Sequence, residues 1–422
     1  MKEKDELQRP VRLLEADRSQ LRLVPVDLDR WLPEDDQARS IWAFVEGLDL
    51  GGFYRKVKSV EGQAGRPPID PKIFLALWIQ ATLDGIGSAR EVARLCEIHL
   101  RYQWICGGVR PGYHVLSDFR SNSEAELDQI LTDTVAVLMH KGLVTLERVA
   151  QDGMRVRASA GAGSFRTGKR LKQLHKIAQE QVQRLKDEQQ QDPSAGTRRS
   201  QAARQRAANE RSERIKQALA ELPEIEKRKK SNNGKKKTEA RSSTSDPDVR
   251  IMKMADGGFR PALNVHFVSD TVSKVIAAVD VNNHGTDQRM AEPLAKQIHR
   301  RHQKAPAEWL EDGGCVTLDG IDKLAELGIE VIAPVRAPRN PARQATEVRS
   351  NDSPAVADWR TRMTTEYAKT VYKQRGATAE LVNAQARGHG LYQFLVRRIT
   401  KVRSVVLLHA ITHNLRREWA LT

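Results

Sequence analysis

The sequence is poor in cysteine, in aromatic residues and in long apolar runs, and its acids are outnumbered by its bases. Three cysteines, Cys96, Cys106 and Cys315, are spread over 422 residues. None sits in a CxxC pair and the number is odd, which argues against a disulfide framework or a zinc site and suits a reducing cytoplasm. No run approaches the roughly 18 apolar residues of a membrane-crossing helix, so no membrane association is expected. The opening Met1-Lys2-Glu3-Lys4-Asp5 is mixed in charge and leads into no apolar stretch, so it does not read as a signal peptide. The deficit of acids leaves a net charge of +16 and a pI near 9.8. Such a field favours polyanions, nucleic acid above all, although a solubilising surface is the plainer alternative and charge alone says nothing about chemistry.

What is present is a chain that is 39% hydrophobic, enough for a real core, with room for two to four domains. Residues 1–65 form a lead-in segment, with a short edge strand expected over Leu21–Val26 and a helix carrying Ile41, Trp42, Phe44, Val45 and Leu48. Residues 66–142 read as a helical domain. Asp70 precedes a stripe of Ile73, Phe74, Leu77, Trp78 and Ala81, Ser88-Ala89-Arg90-Glu91 is a capping-box pattern, and Ser121-Asn122-Ser123-Glu124 opens another helix ended by Gly142. With Arg90, Arg94, Arg101, Arg110 and Arg120 interspersed, short helices joined by glycine turns suit a helix-turn-helix-like DNA-binding module, and equally an ordinary bundle with solvated arginines.

After strand-like residues from Val144 to Ala160 the composition changes abruptly. Residues 165–240 contain 21 lysines and arginines against 10 acids, a local net charge of +11. Two sparse helical stripes, Leu171–Leu185 and Ile215–Leu222, are separated by Asp192-Pro193-Ser194-Ala195-Gly196. The segment 165–245 reads as a protruding basic helical hairpin inserted into a second domain, with Lys235, Lys236 and Lys237 in its exit loop as candidate DNA contacts; a charge run is often simply solvated.

Beyond the insertion, strands at Pro261–Val268 and Lys274–Val281 flank a hairpin turn. A helix is expected from Thr286 to His302, then a strand end at Trp309-Leu310-Glu311-Asp312-Gly313-Gly314, a helix capped by Thr317, a strand at Ile329–Val335, and late helices near Glu366–Arg387 and Val396–Trp419. An antiparallel start followed by alternating helix and strand is the order of an RNase H-like α/β domain, a mixed five-stranded sheet with helices, spanning 143–164 and 246–422 and preceded by the all-α helix-turn-helix-like domain.

Cleaving a phosphodiester with two metal ions needs carboxylates brought together from different elements, because hard Mg²⁺ takes oxygen ligands. Asp152 lies at a strand end before Gly153, and Asp312 lies where a strand opens into a glycine turn. Each alone is also a common turn residue. Glu380 sits on a late helix, with Asn383 and Arg387 following at i+3 and i+7 on one face. Asp256, Asp280 and Glu366 read as turn, surface or cap residues. Glu311 should point away from Asp312's side if the strand continues. His409 and His413 are one helical turn apart, and without a third ligand beside them they read as a packed pair.

Val149–Ser159, Trp309–Val335 and Tyr372–Arg417 together resemble the catalytic domain of bacterial insertion-sequence DDE transposases. In that family one Asp ends the first strand, as Asp152 does, a second followed by Gly ends the fourth, as Asp312 does, and a Glu lies on a helix after the fifth, as Glu380 does. Related members carry Tyr-x2-Arg-x3-Glu-x6-Lys around that Glu; here the string is Tyr372-x2-Arg375-x4-Glu380-x6-Arg387, with one residue more and Arg for Lys. Lys401–Arg417 resembles the family's C-terminal helix, and Arg66-Pro67-Pro68-Ile69-Asp70-Pro71 its preceding helical domain. The resemblance implies that Asp152, Asp312 and Glu380 are catalytic and hold Mg²⁺, with Mn²⁺ able to substitute. It implies a water attack at the element end, followed by attack of the freed 3′-hydroxyl on target DNA. Tyr372, Arg375, Arg387, Arg90 and Arg94 would bind double-stranded DNA, as a homodimer associated with the nucleoid. An inactive transposase-derived DNA-binding protein and a plain metal-dependent nuclease are the alternatives.

Overall fold

The computed structural model describes residues 27–57, 67–191, 197–232, 239–338 and 344–422. The edge strand expected at Leu21–Val26, the break at Asp192–Gly196 and the exit-loop lysines Lys235, Lys236 and Lys237 lie outside them.

Helices α1 (Leu28–Trp31), α2 (Gln37–Glu46) and α3 (Gly51–Tyr54) lead into α4 (Pro71–Leu83), α5 (Ala89–Ile98), α6 (Leu100–Cys106), α7 (Tyr113–Ser121) and α8 (Glu124–His140). The start signals act as expected: the Asp70 carboxylate accepts from Lys72 N with Pro71 in the first turn, and Ser88 Oγ accepts from Glu91 N. Ser123 precedes α8 but turns its hydroxyl back to donate to the Phe119 carbonyl at 2.6 Å, so α8 has no side-chain cap. The arginines divide. Arg90, Arg94 and Arg110 are exposed, whereas Arg120 is buried over the Trp78 ring and donates to the Gly87 carbonyl, so it is structural and no DNA contact.

The sheet begins with β1 (Arg148–Arg157). A small ladder of β2 (Phe165–Thr167) and β3 (Arg241–Ser243), in register Phe165↔Ser243, closes the base of the hairpin α9 (Gly168–Gln191) and α10 (Arg198–Ala220), with α11 (Leu222–Asn232) after it. That ladder is too short for periodicity to reveal. The main sheet continues with β4 (Arg250–Lys253), β5 (Phe259–Asp270) and β6 (Ile276–Asn282), then α12 (Ala291–His302), β7 (Glu308–Leu310), α13 (Leu318–Ala325), β8 (Glu330–Ile332), α14 (Pro354–Arg362), α15 (Glu366–Gly388) and α16 (Ile399–Leu421). Its order is β4-β5-β1-β7-β8, with β6 sharing the far edge of β5. β5 runs antiparallel to β1, β4 and β6, while β1, β7 and β8 are mutually parallel. The sheet is therefore six-stranded rather than five, because the four-residue β4 extends the edge of β5.

Two further expectations are corrected. α12 starts at Ala291, not Thr286, because Arg289 adopts φ +66°, which interrupts any helix, and Pro293 sits in the first turn where its missing N–H costs nothing. The helix α14, begun by Ser353 capping Val356 N ahead of Pro354, was not anticipated.

One buried core runs without a break from Ile41 and Trp78 in the N-terminal helices, through Leu131 of α8, to Trp309 of β7 and Leu408 of α16. The hairpin has its own small core of Leu171, Ala178, Ile215, Ala218, Leu222, Ile225 and Ala240. Among the described residues no helix is long and apolar enough to cross a membrane.

Candidate active site

β1 and β7 lie side by side in parallel, pairing Val149 with Trp309 and Ala150 with Leu310. Asp152 therefore projects just past the end of that pairing, and Asp312 stands two residues beyond the last residue of β7. In the turn that follows, Asp312 Oδ1 accepts from Gly314 N at 2.7 Å. Gly313 is required there, because a Cβ would lie 2.7 Å from the Pro334 carbonyl. Arg336 holds the same turn, donating from Nε to the Gly313 carbonyl at 2.8 Å and from Nη2 to that of Gly314. An open pocket of about 650 Å³ borders the turn, edged by Gln288, Thr317, Arg336, Arg349 and Trp359.

α15 crosses β1 and is pinned along its length. Tyr367 OH donates to Glu308 Oε1 at 2.7 Å, Arg148 Nη1 donates to Gln374 Oε1 at 3.0 Å, and Lys274 Nζ donates to Thr378 Oγ1 at 2.8 Å. This places Arg375 and Asn383 over Asp152. Arg375 Nη2 lies 3.0 Å from Asp152 Oδ1 and 3.8 Å from Asp312 Oδ2, and Asn383 Nδ2 donates to Asp152 Oδ2 at 2.9 Å. Glu380 shares the face of Asn383, one turn earlier, and is exposed. Its carboxylate folds back over Gly376, with Oε1 3.8 Å from where a Cβ on that glycine would stand.

The structure thus brings Asp152 and Asp312 to one cation and leaves Glu380 beside it on the same helix without contact to either aspartate. Among the described residues no group of three His, Cys, Asp or Glu side chains stands close enough to hold a metal ion between them. Tyr372 is half-buried near Arg375 and Asp312, and burial raises its phenol pKa. Arg387 is exposed at the far end of α15. Arg90 stacks on Tyr113 and Arg94 pairs with Glu91, both on the surface.

Burial raises the Asp152 pKa, opposed by Arg375 and assisted by Asp287 and Asp312. The first of these acids escaped sequence reasoning. Gly153 faces the opposite side of the sheet from Asp152, and a Cβ there would lie 2.2 Å from Asp287 Oδ1, so a larger residue would displace this carboxylate. Asn264 Nδ2 donates to Asp287 at 2.5 Å, and the fully buried His266 stands 3.8 Å from it. Reading Thr286–Met290 as helix hid Asp287; the Asn264-x-His266 alternation inside an otherwise apolar strand was the available signal. Glu311 is also buried, and burial pushes its carboxyl up to about 8. His409 and His413 are packed, with His413 Nε2 2.8 Å from the Lys274 carbonyl, and burial drives both pKa values down. Asp256 pairs with Arg260 at the surface, Asp280 with Arg403, and Glu366 with Lys369.

Comparison with known families finds two matches: a transposase domain (DUF772) over residues 26–122, and a transposase DDE domain over residues 336–419. The two matches together support an insertion-sequence DDE transposase. No curated protein and no solved structure matches it. The second match contains Tyr372, Arg375, Glu380, Asn383 and Arg387 of this transposase, while Asp152 and Asp312 lie outside both. DDE transposases use divalent metal ions. The donor set fits such an ion in kind: hard carboxylate oxygens from two parallel strands already converge on one cation, the Arg375 guanidinium.

Proposed function

We propose that this transposase cuts DNA at the ends of its insertion sequence and joins them to target DNA, with Asp152, Asp312 and Glu380 holding Mg²⁺, or Mn²⁺ in its place. The observation that carries the reading is the meeting of Asp152 and Asp312 at Arg375, on the helix that also bears Glu380. When bound, the ions supply an activated oxygen nucleophile and charge neutralisation at the leaving oxygen. Asn383 fixes one oxygen of Asp152 and leaves the other directed at the Arg375 guanidinium. The Gly314 N–H and the Arg336 clamp hold the Asp312 turn still. Glu380, exposed on the same helix one turn before Asn383, would supply the third carboxylate. Arg387, on the same face, donates to a DNA phosphate, and Tyr372 borders the path of the strand.

Counted as β1, β5, β6, β7 and β8, the strands lie in the order third, second, first, fourth, fifth, with the second antiparallel. This supports an RNase H-like catalytic domain at 143–164 and 246–422, interrupted by the basic insertion 165–245. The exposed Arg90, Arg94 and Arg110 support a helix-turn-helix-like role for 66–142 in reading end DNA, and joining two ends calls for a homodimer on DNA in the cytoplasm, at the nucleoid.

The test is a cleavage and strand-transfer assay with the full chain, DNA carrying the element's ends, and Mg²⁺ or EDTA. Mg²⁺-dependent 3′-hydroxyl ends and joined products are expected from the wild type. Asp312→Asn should lose both and keep DNA binding. Binding without cutting would leave an inactive DNA-binding protein, and cutting without joining a nuclease; a fully active Asp312→Asn variant removes Asp312 from the site.

A further inference from the structure

Arg375 is unusually placed for a residue of a DNA-binding face. Its side chain is only 14% exposed and its Nη2 points inward, touching Asp152 and reaching toward Asp312. Its Nε is buried with no hydrogen-bond partner among the described residues. Asp152 and Asp312 thus gather around one positive charge, where without it the two carboxylates would repel in a partly desolvated cleft.

The guanidinium cannot remain there once an ion is bound. Mg²⁺ needs oxygen ligands at about 2.0–2.1 Å in near-octahedral arrangement, and an ion shared by Asp152 and Asp312 would take the space now held by the nitrogen that approaches both. We propose that Arg375 is the resident counter-ion of the metal-free site: it holds Asp152 and Asp312 together before the ion arrives and is displaced by it. The inference rests on the metal-binding reading above and goes beyond it, because it makes Arg375 a positioning residue that competes with the metal. Asn383 keeps Asp152 in place through the exchange, since its bond goes to the other carboxylate oxygen. Displaced, Arg375 turns its donors toward the cleft, where a phosphate can receive them.

The competition is read by Mn²⁺ binding to the full chain, followed through the electron paramagnetic resonance signal of free Mn²⁺, in wild type, Arg375→Met, and Lys369→Met as a control that removes an equal charge from the surface of α15. Arg375→Met should bind Mn²⁺ roughly tenfold more tightly than wild type, while Lys369→Met stays close to it. The metal-free Arg375→Met protein should melt below wild type, and Mn²⁺ should close the gap. Equal or weaker Mn²⁺ binding by Arg375→Met, with wild type binding normally, overturns the inference and leaves the metal site standing. Absence of Mn²⁺ binding in the wild type overturns both. A measurement free of folding defects uses the wild type alone: arginine modification by phenylglyoxal, mapped by mass spectrometry, should rise at Arg375 on adding Mn²⁺, and an unchanged level refutes the displacement.

Discussion

The sheet with its packed helices and the hairpin α9–α10 are built on opposite physical terms. The first buries Trp78, Trp309, Tyr102 and Phe394 almost completely, inside one core that reaches from α2 to α16. The second is two long helices, of 24 and 23 residues, in which only Leu171 and Ala178 on one and Ala208, Ile215 and Ala218 on the other are buried. Helix propensity and a thin apolar seam hold the hairpin, whereas burial holds the sheet. The core positions the Asp152 carboxylate within hydrogen-bonding distance of Arg375 and Asn383; the hairpin, residues 168–220, carries 13 lysines and arginines against 6 acids into solvent. Precision and reach are separated along the chain.

Perturbing each region should sharpen that contrast. Trp309 is fully buried and its Nε1 donates to Gln151 Oε1 at 3.1 Å. Trp309→Ala should destabilise the protein by about 3–5 kcal/mol in urea unfolding, whereas Leu174→Ala in the hairpin seam should change global stability by less than about 1 kcal/mol. Equal losses would mean that hairpin and sheet unfold as one unit.

Glu311 provides the next effect in size. Its folded pKa, pushed up to about 8 by burial, lies above the ordinary value of 4.5, so between those limits the folded state holds the extra proton. Stability from this residue is fully present below pH 4.5 and is lost as pH rises toward 8. In EDTA, Glu311→Gln should therefore flatten the decline in stability across that window, on the order of a few kcal/mol at its upper end. An unaltered slope would show that Glu311 is ionised when folded.

The smallest effect on stability should come from removing the hairpin. The β2–β3 ladder already brings Thr167 beside Arg241, so a short Gly-Ser link in place of 168–240 closes without strain. Its melting temperature should stay within a few degrees of the wild type, while DNA binding should weaken and its salt dependence become shallower as phosphate contacts are lost. An undiminished salt slope would assign the basic hairpin to solvent alone.

Much of this contrast was legible in the residues. The shift to Lys, Arg, Gln and Ala after Ser164 marks the hairpin, and Asp70, Ser88 and Thr317 announce helices that begin where they stand. Asp312 could be placed at a glycine turn because Asp-Gly-Gly after apolar Trp309-Leu310 has few other uses. Elements of three or four residues, β2, β3 and β4, were not legible, because so short a run carries no period. Nor was the start of α12, where a positive φ at Arg289 interrupts an otherwise helical composition.

The sequence by itself determined the order of the longer elements and the basic insertion, because charge, capping and periodicity are local properties, and its resemblance to a known family singled out the three candidate acids. Tertiary structure alone decided that Arg375 points into the cleft rather than at solvent, that Asn383 holds Asp152, and that Gly153 admits Asp287. Each of these depends on which strand lies beside which helix, and residues more than 100 positions apart meet only when burial of the common core has set that arrangement.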